Sequence, residues 1–223
     1  MSRTQWAALA SVVLALLFAG AATVASALSP EPAPAALAAP AADSADAGFA
    51  RDMAVHHQQA VEMSFLVRDR TKDEEVRRLA YDIANTQANQ RGMMLGWLDL
   101  WGLPKVAPGE EPMSWMGMPS HGPSHGSSHG SGHGPAGGDG ALMPGMATAA
   151  QLDGLRAASG RDAEVRYLKL MTAHHRGGVH MAQGCVDRCR PGVERDLAQG
   201  MVDAQESEIL LMADLLRKRG ATP

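Results

Sequence analysis

Apolar residues recur at helical spacing along two stretches of the chain, about Gly48 to Trp101 and about Thr148 to Arg219, with polar residues between them. In the first stretch one helix is predicted from about Gly48 to Arg68. Thr71 and Glu74 then have the spacing of a capping box, which starts a second helix that carries its apolar stripe to Trp101. Gly102 and Pro104 stop that helix. In the second stretch Thr148 and Gln151 repeat the capping-box spacing and open a short lead-in helix that ends near Gly160. A long helix is predicted from about Asp162 to Arg188, a break at Pro191-Gly192, and a last helix from Val193 to Arg219. An isolated helical hairpin cannot bury its apolar faces. Two hairpins close on each other, so the expected fold is all-α, an antiparallel four-helix bundle spanning 47–218 with halves 47–102 and 148–218.

Two further stretches have neither pattern. Arg3 precedes an apolar run from Trp6 to Leu28, and Ala25-Ser26-Ala27 has the small residues of a cleavage site. Residues 1–27 therefore read as a signal peptide, or as a membrane anchor if uncleaved, since the run is just long enough to span a bilayer. Either way the remainder is expected outside the cytoplasm: periplasmic, cell-surface or secreted. Residues 28–46 are an Ala/Pro-rich tether. Between the halves, 103–142 is loaded with Gly, Pro and Ser and is expected to be disordered.

The two halves repeat each other at a fixed offset of 118 residues. Met53, His56, His57, Val61 and Met63 return as Met171, His174, His175, Val179 and Met181. Asp69-Arg70, Leu79-Ala80, Gln87, Met94 and Leu98 return as Asp187-Arg188, Leu197-Ala198, Gln205, Met212 and Leu216. An ungapped match of this length indicates one duplicated folding unit. Composition agrees with helices: Ala, Leu, Met, Gln, Glu and Arg abound, and there are two Ile. Basic and acidic side chains number 20 and 24, so no basic field exists to hold nucleic acid.

The repeated motif is where the candidate chemistry lies. At 100° per residue, Met53, His56, His57 and Ala60 fall within an arc of about 100°, with Met63 beside His56 further on. Met171, His174, His175, Gly178 and Met181 share that layout. Gln87, Gln90 and Met94 share a face of one following helix, and Met201, Gln205, Glu208 and Met212 a face of the other. Methionine stripes commonly fill cores, and a buried imidazole must find a partner, for which Gln87 or Gln205 could serve. Four imidazoles and thioethers gathered in one bundle also form a soft donor set. Imidazole suits copper, zinc, nickel and iron, while thioether selects Cu(I) and Ag(I). A di-iron site would require inward carboxylates; here the inward positions offer His, Met and Gln, with Glu208 the main exception, and Glu62 lies off the His face. Since neutral imidazole is the ligand, binding should weaken below about pH 6.5.

Secondary soft donors are Met94 and Met212, with Met113, Met116 and Met118 beside Trp115, and His121, His125, His129 and His133 at intervals of four. Met143 and Met146 flank the end of that tract. Cys185 and Cys189, the two cysteines, are four apart. They read as a disulfide in an oxidising exterior, or as two thiolates continuing the Met181 side of the stripe. No nucleophile-and-base set, phosphate loop or G-x-S-x-G turn occurs, so no catalytic role is read.

The phrase F-x-x-x-M-x-x-H-H-x-x-A-V-x-M at Phe49–Met63 and its partner Y-L-x-L-M-x-x-H-H-x-G-G-V-x-M at Tyr167–Met181 resemble the signature of the domain of unknown function 305 family. The Leu152, Leu155 and Ser159-Gly160 lead-in resembles it too, and the likeness covers about 46–218. The resemblance implies an exported, ferritin-like four-helix bundle. It also implies copper or silver binding, in which some members are implicated while most have no known activity, at Met53, His56, His57, Met63, Met171, His174, His175 and Met181. The function expected is copper or silver buffering, sequestration or tolerance, with an exported structural or interaction domain as the alternative. The partners expected are metal ions, copper foremost, and no nucleic acid; membrane contact is confined to an uncleaved N-terminal segment.

Overall fold

The computed structural model describes residues 38–117 and 141–223; the N-terminal segment, most of the Ala/Pro-rich tether, and Met118, His121, His125, His129 and His133 lie outside them. Helix α1 spans Ala45–Arg70 and begins earlier than its apolar pattern, because the Ser44 side chain accepts the Ala47 amide at 3.2 Å. Helix α2 spans Glu74–Leu100. Its cap is Asp73, whose carboxylate accepts the Val76 amide at 3.0 Å, and not Thr71. The Thr71 hydroxyl instead accepts the Asp73 amide and donates to Glu164, tying the α1–α2 turn to the second hairpin. Helix α3, Ala149–Ala157, has both bonds of the Thr148–Gln151 capping box. Helices α4, Gly160–Arg188, and α5, Val193–Lys218, form the second hairpin. No strand occurs among the described residues, and no helix there is long and apolar enough to cross a membrane.

The hairpins join through α1 and α4, which run antiparallel. Two apolar clusters result, one toward each end of the bundle. One gathers Phe49, Met53, Met94, Leu98, Met181, Cys185 and Met201; the other gathers Met63, Val67, Ile83, Tyr167, Leu168, Met171, Met212 and Leu216. Every helix of the two hairpins contributes to both. Burying one such Met, Leu or Phe side chain contributes ~1.5–3 kcal/mol, so these clusters hold the bundle. The secondary candidates Met94 and Met212 are fully buried within them, and Met212 Sδ accepts a weak bond from Thr172 Oγ1 at 3.7 Å.

The expected disorder of 103–142 is corrected over its described ends. Residues 103–117 lie along α1 and contain a 3-10 turn at Ser114–Met116. Arg51 donates to the Pro104 carbonyl at 2.9 Å. Asp52 accepts the Met113 amide at 2.7 Å and the Trp115 indole N–H at 2.9 Å. Trp115 meets Phe49 edge-on, with ring centroids 5.9 Å apart, and rests where a side chain on Gly48 would stand. These bonds hold Met113 in the left-handed region at φ 69°, and both Met113 and Met116 are buried in the first cluster. The loop ahead of α3 is fixed as well. Gln59 donates to the Ala147 carbonyl at 2.9 Å and accepts the Ala147 amide at 2.6 Å. Composition marked this stretch as loop, which it is, but buried apolar and hydrogen-bonded anchors order its two ends.

Candidate metal centre

His56 and His57 on α1 and His174 and His175 on α4 meet in a layer between the two apolar clusters. All four are completely buried. The rings of His56 and His174 stack, with centroids 3.8 Å apart and planes inclined by 33°. Methionines flank the layer on both sides: Met53 and Met181 belong to one cluster, Met63 and Met171 to the other, all fully buried. The motif's eight side chains thus occupy three successive levels along the α1–α4 contact.

Each imidazole uses Nε2 in a hydrogen bond. His56 Nε2 donates to the Pro144 carbonyl at 3.2 Å, and His174 Nε2 to the His56 carbonyl at 3.1 Å. His57 Nε2 faces Gln90 Oε1 at 2.9 Å, and His175 Nε2 faces Glu208 Oε2 at 2.7 Å. Carbonyl and carboxylate oxygens only accept, so Nε2 carries the proton and Nδ1 of each neutral ring is a bare lone pair. All four Nδ1 atoms are buried without a hydrogen-bond partner. Leaving such an atom unpaired costs about 1–3 kcal/mol, so four together are an unusual expense for packing alone.

Burial is the chief cause that lowers the basicity of His56, His57 and His174. His56 is brought from 6.5 to about 4, and His57 to about 3, where the neighbouring His56 adds to the effect. His174 is also pushed well below its ordinary value, first by burial and then by His56, His175 and His57. For His56, His57 and His174, neutral imidazole is therefore the form present at pH 7.

Gln87 and Gln205, the partners anticipated from helical position, are not the ones used. The pairs are Gln90 and Glu208, equivalent positions in the two copies, and the Oε1 atoms of Gln87 and Gln205 are themselves buried without partners. Gln205 fills the space beside Gly178, where a Cβ would collide with its amide. Glu62 pairs with Arg156 at the surface, away from the layer.

Sequence reasoning missed the loop over the His pair. The Pro144 carbonyl that receives His56 also lies where a Cβ on Gly177 would stand. Gly145, at φ 75°, approaches the Ala173 carbonyl so closely that a side chain there would overlap it. The signal was present as breaks in the repeat: Gly48 against Arg166, Asp52 against Leu170, and Gln59 against Gly177 mark where only one copy receives the connecting segment.

Met118 and the linker histidines His121, His125, His129 and His133 lie outside the described residues. Cys185 and Cys189 are joined by a disulfide at the C-terminal end of α4. Among the described residues, no three His, Cys, Asp or Glu side chains converge closely enough to hold a metal ion.

An all-helical bundle of two hairpins with an imidazole layer at its centre is the class these features define. The chain belongs to the DUF305 family, the domain of unknown function 305, whose model matches residues 46–216. A DUF305 protein from Streptomyces coelicolor, assigned as secreted, is 65% identical, with a TM-score of 0.70 over 82% of this chain and 98% of that chain. A DUF305 fragment from Deinococcus radiodurans is 29% identical, with a TM-score of 0.60 over 81% of this chain and 99% of that one. CopM in its Cu(I)-bound form is 20% identical, with a TM-score of 0.53 over 78% of this chain and 96% of that one, and shares the fold. CopM has also been solved in Ag-bound and Cu(II)-bound forms. No curated protein matches the chain.

Proposed function

We propose that this is an exported protein that binds a soft metal ion, Cu(I) or Ag(I), as cargo, for buffering or sequestration. The observation that carries the reading is the set of four buried Nδ1 lone pairs whose rings are held by oxygen acceptors on Nε2. That arrangement suits metal-ligating histidines, in which the second nitrogen is fixed by an acceptor and the first is left for the ion. Among the described residues no three His, Cys, Asp or Glu side chains converge, so thioethers are the further donors beside the rings. Met53, Met63, Met171 and Met181 are the ones at hand, and thioether favours Cu(I) and Ag(I) over harder ions. The Cu- and Ag-bound forms of CopM, a protein of this fold, support the reading. The apolar N-terminal run and the Streptomyces relative assigned as secreted support export. The linker donors Met118, His121, His125, His129 and His133 would collect metal at lower affinity.

The test is Cu(I) titration of the exported form against a chromophoric competitor. Replacing His56, His57, His174 and His175 by Ala in a chain lacking 118–140 should abolish tight binding. Unchanged stoichiometry in that variant removes the bundle site. A purely structural layer is the second reading, favoured by the fact that each Nε2 already has a protein partner. Under it, His→Leu pairs leave the protein as stable or more so, and no copper accompanies it on purification.

A further inference from the structure

The cluster at the α4 C-terminal end is rich in sulfur. Seven of its buried residues are methionines, and Cys185 and Cys189 lie among them. Met181 precedes Cys185 by one helical turn. Met116, from the segment strapped along α1, lies over Gly184, where an added Cβ would stand 3.0 Å from its Sδ. Cys185 is ten residues beyond His175, ~15 Å along the helix, so this cluster is separate from the imidazole layer. The first repeat has Val67 and Thr71 at the cysteine positions, so the pair belongs to one copy alone.

We propose that the Cys185–Cys189 disulfide masks a second soft-metal site, opened by reduction. A dithiol reductant transfers two electrons and two protons, breaking the S–S bond to give two thiols while the dithiol closes to its own disulfide. One Cu(I) then binds both sulfurs, and the two thiol protons pass to solvent; Met116, which the imidazole layer does not use, supplies a thioether. Oxidised, the same residues offer thioethers only and the site is weak. Access does not require the bundle to open. Cys189 caps α4 and is followed by the exposed residues Arg190, Pro191, Gly192 and Val193, so fraying of the last turn exposes the bond.

The inference is independent of metal binding at the imidazole layer, and the experiment separates the two. The full chain is reduced with a dithiol, freed of it without oxygen, and titrated with Cu(I) alongside the oxidised chain. The reduced form should take up one equivalent more, and should keep that difference when His56, His57, His174 and His175 are Ala. The difference should vanish in Cys185→Ser/Cys189→Ser. In the unsubstituted reduced chain, one equivalent of Cu(I) should also protect both thiols from alkylation, a readout that does not depend on how the serine variant folds. Equal stoichiometry in the two redox forms, or thiols alkylated at the same rate with and without Cu(I), overturns the proposal.

Discussion

Acidification should unfold this protein through its histidine layer, and His57→Leu should blunt the effect measurably. His56, His57 and His174 are neutral in the folded state because burial excludes their charged forms. An unfolded imidazole titrates near 6.5. Below that pH the unfolded chain takes up protons that the folded chain refuses, so stability falls as pH falls. The loss levels off only when the folded rings protonate, at about 4 for His56 and about 3 for His57. At pH 5 the charged form of a free imidazole is favoured about thirtyfold, which is about 2 kcal/mol for each histidine kept neutral. His56 and His57 together cost about 4 kcal/mol, and His174 adds in the same direction, against a whole stability of about 5–15 kcal/mol for many domains. His57 is the ring to remove, because its partner Gln90 is only half-buried and water can replace the lost bond. Urea unfolding of metal-free protein, followed by circular dichroism at pH 7 and pH 5, gives the gap for each form. The gap should be about 2 kcal/mol smaller in the Leu variant. An identical gap in both proteins, or a stability that does not change between the two pH values, refutes the argument.

Three other outcomes follow from the geometry. Gly177→Ala should destabilise by about 1–3 kcal/mol in thermal unfolding, because its Cβ meets the Pro144 carbonyl, whereas Gly200→Ala, with open space around it, should stabilise slightly. Asp52→Ala should release Trp115 and the Met113 amide, shifting tryptophan emission to longer wavelength and speeding exchange of the Met113 amide hydrogen. Glu194 is buried with neither oxygen bonded, and burial, reinforced by Asp46, raises it to about 9. Its folded form holds a proton that the unfolded chain loses near 4.5, so its contribution declines as pH rises from about 4.5 to about 9. Glu194→Gln should remove that decline in unfolding measurements between pH 5 and 9.

Much of the frame was legible because helical periodicity and repetition are local signals. The offset linking His56 to His174 marked two equivalent helices; that these two pack on each other is read from the structure. What sequence could not decide was which of several helix-face neighbours would bond. Gln87 and Gln90 lie on one face of α2, and only the register of α2 against α1 selects Gln90 for His57. Thr71 and Asp73 compete for the same helix start, and the demand of Glu164 from the other hairpin decides where the hydroxyl goes. The ordered ends of the linker were hidden for a different reason. Composition averages over a segment, whereas Met113, Trp115 and Gln59 act singly, through partners on α1 and in the loop.

The loop over the layer makes its two stacked rings chemically different. His174 donates to the backbone of its twin, while His56 donates to Pro144, a residue with no counterpart against His174 among the described residues. Two identical hairpins assembled as a dimer would have to treat both rings alike, or offer two loops where there is room for one. In a single fused chain the loop can seat itself on one half alone. Ions arriving at the centre would therefore meet two rings held by different partners, so the first and the second need not bind with equal ease.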